Sequence, residues 1–95
     1  MKRRRYLVAY DISDPKRLAK VRRKVAGFGD SMQYSVFVCD INAAEKAQLV
    51  EGLFEIIDPK VDRVAFVDIG LDGESDRFMF LGARPKLPIS GPRIF

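Results

Sequence analysis

The chain has 95 residues, 47% hydrophobic and 32% charged, with a net charge of +4, one cysteine and no histidine. These numbers describe one ordinary soluble domain. They exclude His-based catalysis, His metal clusters and an intrachain disulfide, and a single Cys39 fits a reducing, cytoplasmic compartment. The longest early apolar run, residues 6–10, is shorter than the roughly 7–15 residues of a secretory core or the roughly 20 of a membrane helix, so no membrane association is expected.

Charge is unevenly placed. Residues 1–29 hold ten Lys/Arg against Asp11 and Asp14, a balance of +8, and the remainder holds seven against eleven acids, a balance of −4. Such asymmetry points to a polyanionic partner, nucleic acid ahead of an anionic membrane. A solvated basic surface is the plainer reading.

In chain order, "YLVAYDI" sits in a first strand over residues 5–12. Asp14-Pro15 opens a helix, Asp as the cap and Pro at the first helical position. Leu18, Val21, Val25 and Phe28 form its apolar stripe, and Gly27 and Gly29 end it. "QYSVFVCDI", 33–41, reads as a second strand. Asn42 caps a second helix running to about Asp58, with Leu49, Leu53 and Ile56 as its stripe and Pro59 beyond. Residues 62–70 form a third strand, 72–76 a turn, and Arg77 to Leu81 a fourth strand. The last fourteen residues hold three prolines and two glycines, a tail or short edge strand. The domain spans 1–82 and the tail 83–95.

The fold class is α+β, a ferredoxin-like βαββαβ with a four-stranded antiparallel sheet and both helices on one face. The uncovered face of such a sheet is expected to be polar. Here both parities of the strands are apolar, so both faces need cover. A second copy on the open face, an isologous homodimer, is the simplest solution. The tail is placed to reach the partner subunit.

The chemistry centres on Asp11. Asp14 is explained as a helix cap, but Asp11 has no capping task. With Tyr6, Val8 and Tyr10 toward the helices, Asp11 shares the dimer face with Leu7 and Ala9. Two facing carboxylates repel unless a proton or cation lies between them. Mg²⁺, or Mn²⁺ in its place, is the natural occupant, because it takes one or two carboxylates and keeps water and phosphate as its other ligands. It would activate water toward a phosphodiester. A turn former or ion-pair partner is the plainer role for Asp11.

On the first helix, Lys16, Lys20 and Arg23 point away from the apolar stripe, with Arg17 and Arg22 flanking it. Six basic residues in nine (16–24) suit a phosphate backbone. Ser35 needs a hydrogen-bond partner, Phe37 suits the core, and Cys39 is a small buried hydrophobe. The acids Asp68, Asp72, Glu74 and Asp76 lack the spacing of a calcium loop.

With these residues in view, "YLVAYDI", "SDPKRLAKV" and "GFGDSMQYSVFVCDI" resemble the small CRISPR-associated adaptation protein family Cas-two (Cas2). The resemblance covers 5–41 by motif and the remainder by element order. It implies a ferredoxin-like homodimer acting in spacer acquisition with the integrase Cas-one, and a Mg²⁺-dependent endonuclease for RNA or double-stranded DNA. It places the catalytic, metal-binding aspartate on Asp11 and nucleic-acid contacts on Tyr10, Arg17, Ser35 and Phe37, beside Lys20, Arg22 and Arg23 from the charge reading. The chain departs from the family pattern at Val38, often Glu, and at Ser31-Met32, where a basic residue is common. Two functions follow: an endonuclease using paired Asp11, or a non-catalytic dimeric scaffold bridging Cas-one and lying along duplex DNA. A small-molecule sensor domain shares the architecture but gives no reason for the basic segment.

Overall fold

A computed structural model describes residues 2–71, 79–82 and 93–94. The order is β1 (Arg4–Asp11), α1 (Pro15–Ala26), β2 (Asp30–Gln33), β3 (Val36–Ile41), α2 (Ala43–Ile56), β4 (Arg63–Leu71), β5 (Met79–Phe80) and β6 (Arg93–Ile94). The first six build the expected βαββαβ motif. Strands β2-β3-β1-β4 lie side by side, every neighbour antiparallel.

Local chemistry sets the helix starts. Asp14 accepts a hydrogen bond from the Arg17 backbone N–H at 2.9 Å, and Pro15 follows it. Asn42 and Glu45 form a reciprocal capping box, each side chain accepting from the other's N–H at 2.9 Å. Arg23 and Lys24 occupy the last turn of α1, where cations complement the helix dipole. Helix α2 stops at Ile56, short of the expected Asp58, because Asp58 begins a turn in which its carbonyl accepts from the N–H groups of Val61 and Asp62.

Both helices cover one face of the sheet. Tyr6, Val8, Tyr10 and Ile12 of the first strand and its extension pack with Phe37, Cys39 and Ile41 of β3 and with Val21, Val25, Leu49 and Leu53 of the helices. Val8, Val21, Val25 and Leu49 are fully buried, each worth roughly 1.5–3 kcal/mol relative to exposure. Burial pushes the Cys39 thiol up to about 12, so it is an inert core residue. Gly29 is needed where it stands. A Cβ there would lie 2.3 Å from the Val38 carbonyl oxygen and 2.6 Å from Cys39 Sγ.

The opposite face carries no helix among the described residues. Leu7 lies opposite Val38 on one side and Val67 on the other, and Ala9 opposite Val36 and Ala65. Val38 is buried under Leu7, Met32 and Ile69, whereas Val67 is 48% exposed. The expected two-sided apolar sheet is present.

Two strand assignments are corrected. The stretch 33–41 is not one strand. It contains a two-residue turn, Tyr34-Ser35, between β2 and β3, with an irregular register between Ser31 and Gln33. The fourth strand of the main sheet is therefore Asp30–Gln33, not 77–81. Of that segment Met79–Phe80 instead pairs in parallel with Arg93–Ile94 as a separate two-stranded ladder. The expected turn 72–76 and most of the tail lie outside the described residues.

A buried carboxylate ties the layers together. The Asp62 side chain is fully buried. It accepts from Arg17 Nε at 2.7 Å and Nη2 at 3.2 Å, from the Ser13 N–H and hydroxyl at 3.0 and 3.1 Å, and from the Asp58 N–H at 2.8 Å. This joins the β1–α1 connection to the α2–β4 connection. The Arg17 guanidinium, followed by the backbone and hydroxyl donors, holds the Asp62 carboxyl well below the usual carboxylate range. A carboxyl depressed in the folded state adds stability that is present above its unfolded value and is lost as pH falls toward the folded value. Urea unfolding from pH 7 to pH 2 is expected to show steady stability down to about pH 4 and a steep loss below it. Asp62→Asn, with the charge removed, is expected to be less stable at pH 7 and to show a shallower acid slope. An unchanged acid slope in Asp62→Asn would remove this carboxylate from the account.

Candidate nucleic-acid interface and active site

Asp11 is the last residue of β1, and its side chain is exposed. Strand alternation puts it on the open face with Leu7 and Ala9. Its cross-strand partner is Arg63, the first residue of β4, and such pairs hold their Cβ atoms about 4.5–5.5 Å apart. A shallow depression of about 380 Å³ runs over Ala9, Asp11, Arg63 and Ala65. Among the described residues neither Asp11 nor Arg63 makes an ion pair or side-chain hydrogen bond. Asp11 thus retains both carboxylate oxygens for an external cation, and Arg63 retains its guanidinium for an external anion.

Among the described residues no group of three or more His, Cys, Asp or Glu could hold a metal ion. The described lining of the depression holds one carboxylate, Asp11. That donor suits Mg²⁺ or Mn²⁺, which accept one or two carboxylates and fill the remaining positions with water and phosphate oxygens.

The basic amino-terminal segment divides in two. Arg3 pairs with Glu45 at 3.0 Å, Arg4 with Asp68 at 2.7 Å and Arg5 with Asp40 at 2.6 Å. Arg17 is bound to Asp62, so the predicted nucleic-acid contact already has a structural partner. Part of the charge asymmetry is therefore internal, with amino-terminal arginines matched to later acids. Lys16, Lys20, Arg23 and Lys24 are exposed along α1 and make no ion pair among the described residues. Lys20, Arg23 and Lys24 also line a groove of about 470 Å³ between the helices, floored by Phe28 and Ile56. This face is the electrostatic footprint that remains.

Tyr10, Ser35, Phe37 and Arg22 converge at one corner. Tyr10 and Phe37 are 6% and 2% exposed and stack at 6.3 Å between centroids. The structure gives both rings a packing role, and burial keeps them from stacking on a base. Ser35 lies in the β2–β3 turn, where its carbonyl accepts from the Tyr10 N–H at 3.1 Å. The Tyr10 hydroxyl donates to the Tyr34 carbonyl at 3.2 Å, and Arg22 Nη1 donates to the same carbonyl. Two residues here carry no signal that a sequence reading would single out. Arg63 becomes notable only through its register with Asp11, and Tyr34 only through its exposure on the turn.

Comparison with known proteins shows what the chain is similar to. The family model described as CRISPR associated protein Cas2 matches residues 4–77. The chain is 38% identical over 65 residues to a CRISPR-associated endoribonuclease Cas2 of Rhodospirillum rubrum, covering 68% of this chain and 64% of that relative's length. A second R. rubrum protein of the same description is 32% identical over 93% of this chain and 97% of the relative. The crystal structure of Streptococcus pyogenes Cas2 at pH 6.5 superposes with a TM-score of 0.66 at 33% identity, covering 77% of this chain and 90% of that one. No described helix is long and apolar enough to cross a membrane. By the reach of the family match, which takes in residues 4–77, the chain belongs to the CRISPR associated protein Cas2 family.

Proposed function

We propose that the chain is a metal-dependent endonuclease that hydrolyses phosphodiesters of RNA, with double-stranded DNA as the other substrate, and works as a homodimer through its open sheet face. The observation that carries this is Asp11, an exposed carboxylate without a partner among the described residues, standing on an apolar face opposite an equally available Arg63. Relatives named endoribonucleases support RNA as the substrate. Packing two open faces buries Leu7, Ala65 and Val67 and brings Asp11 toward its copy. The pair would hold Mg²⁺ or Mn²⁺, which supplies Lewis-acid stabilisation and a more acidic bound water.

The chain's own residues do the remaining work. Arg63 holds a non-bridging phosphate oxygen beside Asp11, a charge-assisted contact. Lys16, Lys20 and Arg23 hold the flanking backbone from α1. Arg17 acts indirectly, because its bond to Asp62 fixes the start of that helix. Where a second subunit covers the open face, exclusion of water would strengthen the Arg63 contact.

The scaffold reading, in which the dimer bridges the integrase Cas-one and lies along duplex DNA, is favoured by one observation. The described lining of the depression holds a single carboxylate, while the four exposed cations of α1 suit duplex binding without chemistry. Asp11→Asn separates the two. It is expected to fold and bind nucleic acid normally, and to lose metal-dependent cleavage by on the order of a hundredfold or more, since even partners one step removed from a metal cost about 10–100-fold. Cleavage equal to wild type would assign Asp11 a structural role. A second measurement addresses the helix. Lys20→Ala/Arg23→Ala is expected to weaken binding of any sequence and to flatten the plot of log affinity against log salt by about 1.4–1.8, roughly 0.7–0.9 per phosphate contact. An unchanged slope would move the backbone contacts off α1.

A further inference from the structure

We infer that Tyr34 is a stacking platform for an unpaired base of a single-stranded nucleic acid bound along α1. Tyr34 is 67% exposed, although it is a large aromatic residue at the tip of a tight turn. Turn chemistry does not ask for it there. Two-residue hairpin turns favour Asn, Asp and Gly, and among the described residues no non-glycine adopts positive φ.

The ring is held in place by an interaction that leaves it accessible. The Arg22 guanidinium sits over the Tyr34 ring at 5.0 Å and over the buried Phe37 ring at 5.3 Å, a stack of two rings about one cation. Arg22 also donates to the Tyr34 carbonyl, and so does the Tyr10 hydroxyl. The backbone of the turn is thus pinned by two side chains, and one face of the ring is supported by Arg22. With the residue 67% exposed, the ring keeps surface available to a ligand. A pre-ordered aromatic face backed by a cation is the arrangement on which bases stack without sequence preference.

Position links the platform to α1. The Ser35 carbonyl bonds to the Tyr10 N–H, which anchors the turn at the end of β1, while the ring lies with Arg22 and Phe37 on the helix side of the sheet. Arg22 belongs to α1, whose exposed cations follow the backbone on the same element. In duplex DNA the bases are already stacked on one another, so Tyr34 gains nothing there. In single-stranded RNA an unpaired base gains a partner. Tyr34 therefore favours single strands over duplexes.

This inference rests on the proposed nucleic-acid binding, and the test separates the two. Anisotropy titrations would compare a labelled single-stranded RNA with a duplex DNA of equal length, using wild type, Tyr34→Ala and Tyr34→Phe. Tyr34→Ala is expected to bind the RNA roughly tenfold more weakly, with duplex affinity and salt slope unchanged, because no phosphate contact is removed. Tyr34→Phe is expected to bind as wild type. Tyr34→Phe is expected to keep the wild-type melting temperature, and Tyr34→Ala to lose a few degrees with the Arg22 contact while staying folded at the assay temperature. If wild type binds the RNA and Tyr34→Ala binds it equally well, or if Tyr34→Ala weakens RNA and duplex alike, the platform is overturned and the binding function stands. If wild type binds neither probe, the proposed function fails and the platform falls with it.

Discussion

The sheet is apolar on two faces, and among the described residues helices cover only one. Everything distinctive about the molecule follows from that imbalance. Even-numbered residues of β1, from Tyr6 to Tyr10, pack under the helices. Odd-numbered ones, Leu7 and Ala9, meet Val36, Val38, Ala65 and Val67 on the open side. Strand alternation then leaves no choice for Asp11. It emerges on the open side, at the end of the apolar strip, where an isolated carboxylate has neither a helix N-terminus nor a described ion-pair partner. In the proposed dimer, covering that face would bury the hydrophobic surface and supply the second carboxylate together.

Electrostatics sharpen the same picture. The concentration of positive charge in the first third of the chain looks like one binding surface in sequence. In three dimensions Arg3, Arg4 and Arg5 meet acids of α2, β4 and β3, and Arg17 meets Asp62. Lys16, Lys20, Arg23 and Lys24 of α1 stay exposed and without an ion pair among the described residues. The internal pairs take up part of the positive charge, and the surplus along α1 is available to a polyanion.

What was legible in the sequence was mostly local. Asp14-Pro15 and Asn42 with Glu45 announce helix starts because a cap and its target lie three residues apart. The parity of β1 shows which residues share a face. The β2–β3 turn was hidden because Tyr34-Ser35 contains neither glycine nor asparagine and lies in a stretch rich in strand formers. Missing it transferred the fourth strand to the wrong segment while leaving the fold class intact. Asp62 was hidden for another reason. Its partners Arg17 and Ser13 are 45 and 49 residues away, so no short-range pattern marks it. The same distance effect made Arg17 look available to substrate when it is committed to the fold. Tyr10 and Phe37 suit the core by parity, and the core is where they lie.

The account therefore turns on whether the open face is an interface that completes the Asp11 site. Val67, opposite Leu7 at the centre of that face, can be replaced by glutamate. The change is tolerable on an exposed surface and costly in an apolar seam. Sedimentation at micromolar concentration, with cleavage assayed on the same samples, is the direct test. Wild type is expected to sediment as a dimer that cleaves, and Val67→Glu as a folded monomer that has lost cleavage although Asp11 is intact. A monomeric Val67→Glu that cleaves as well as wild type would contradict the account.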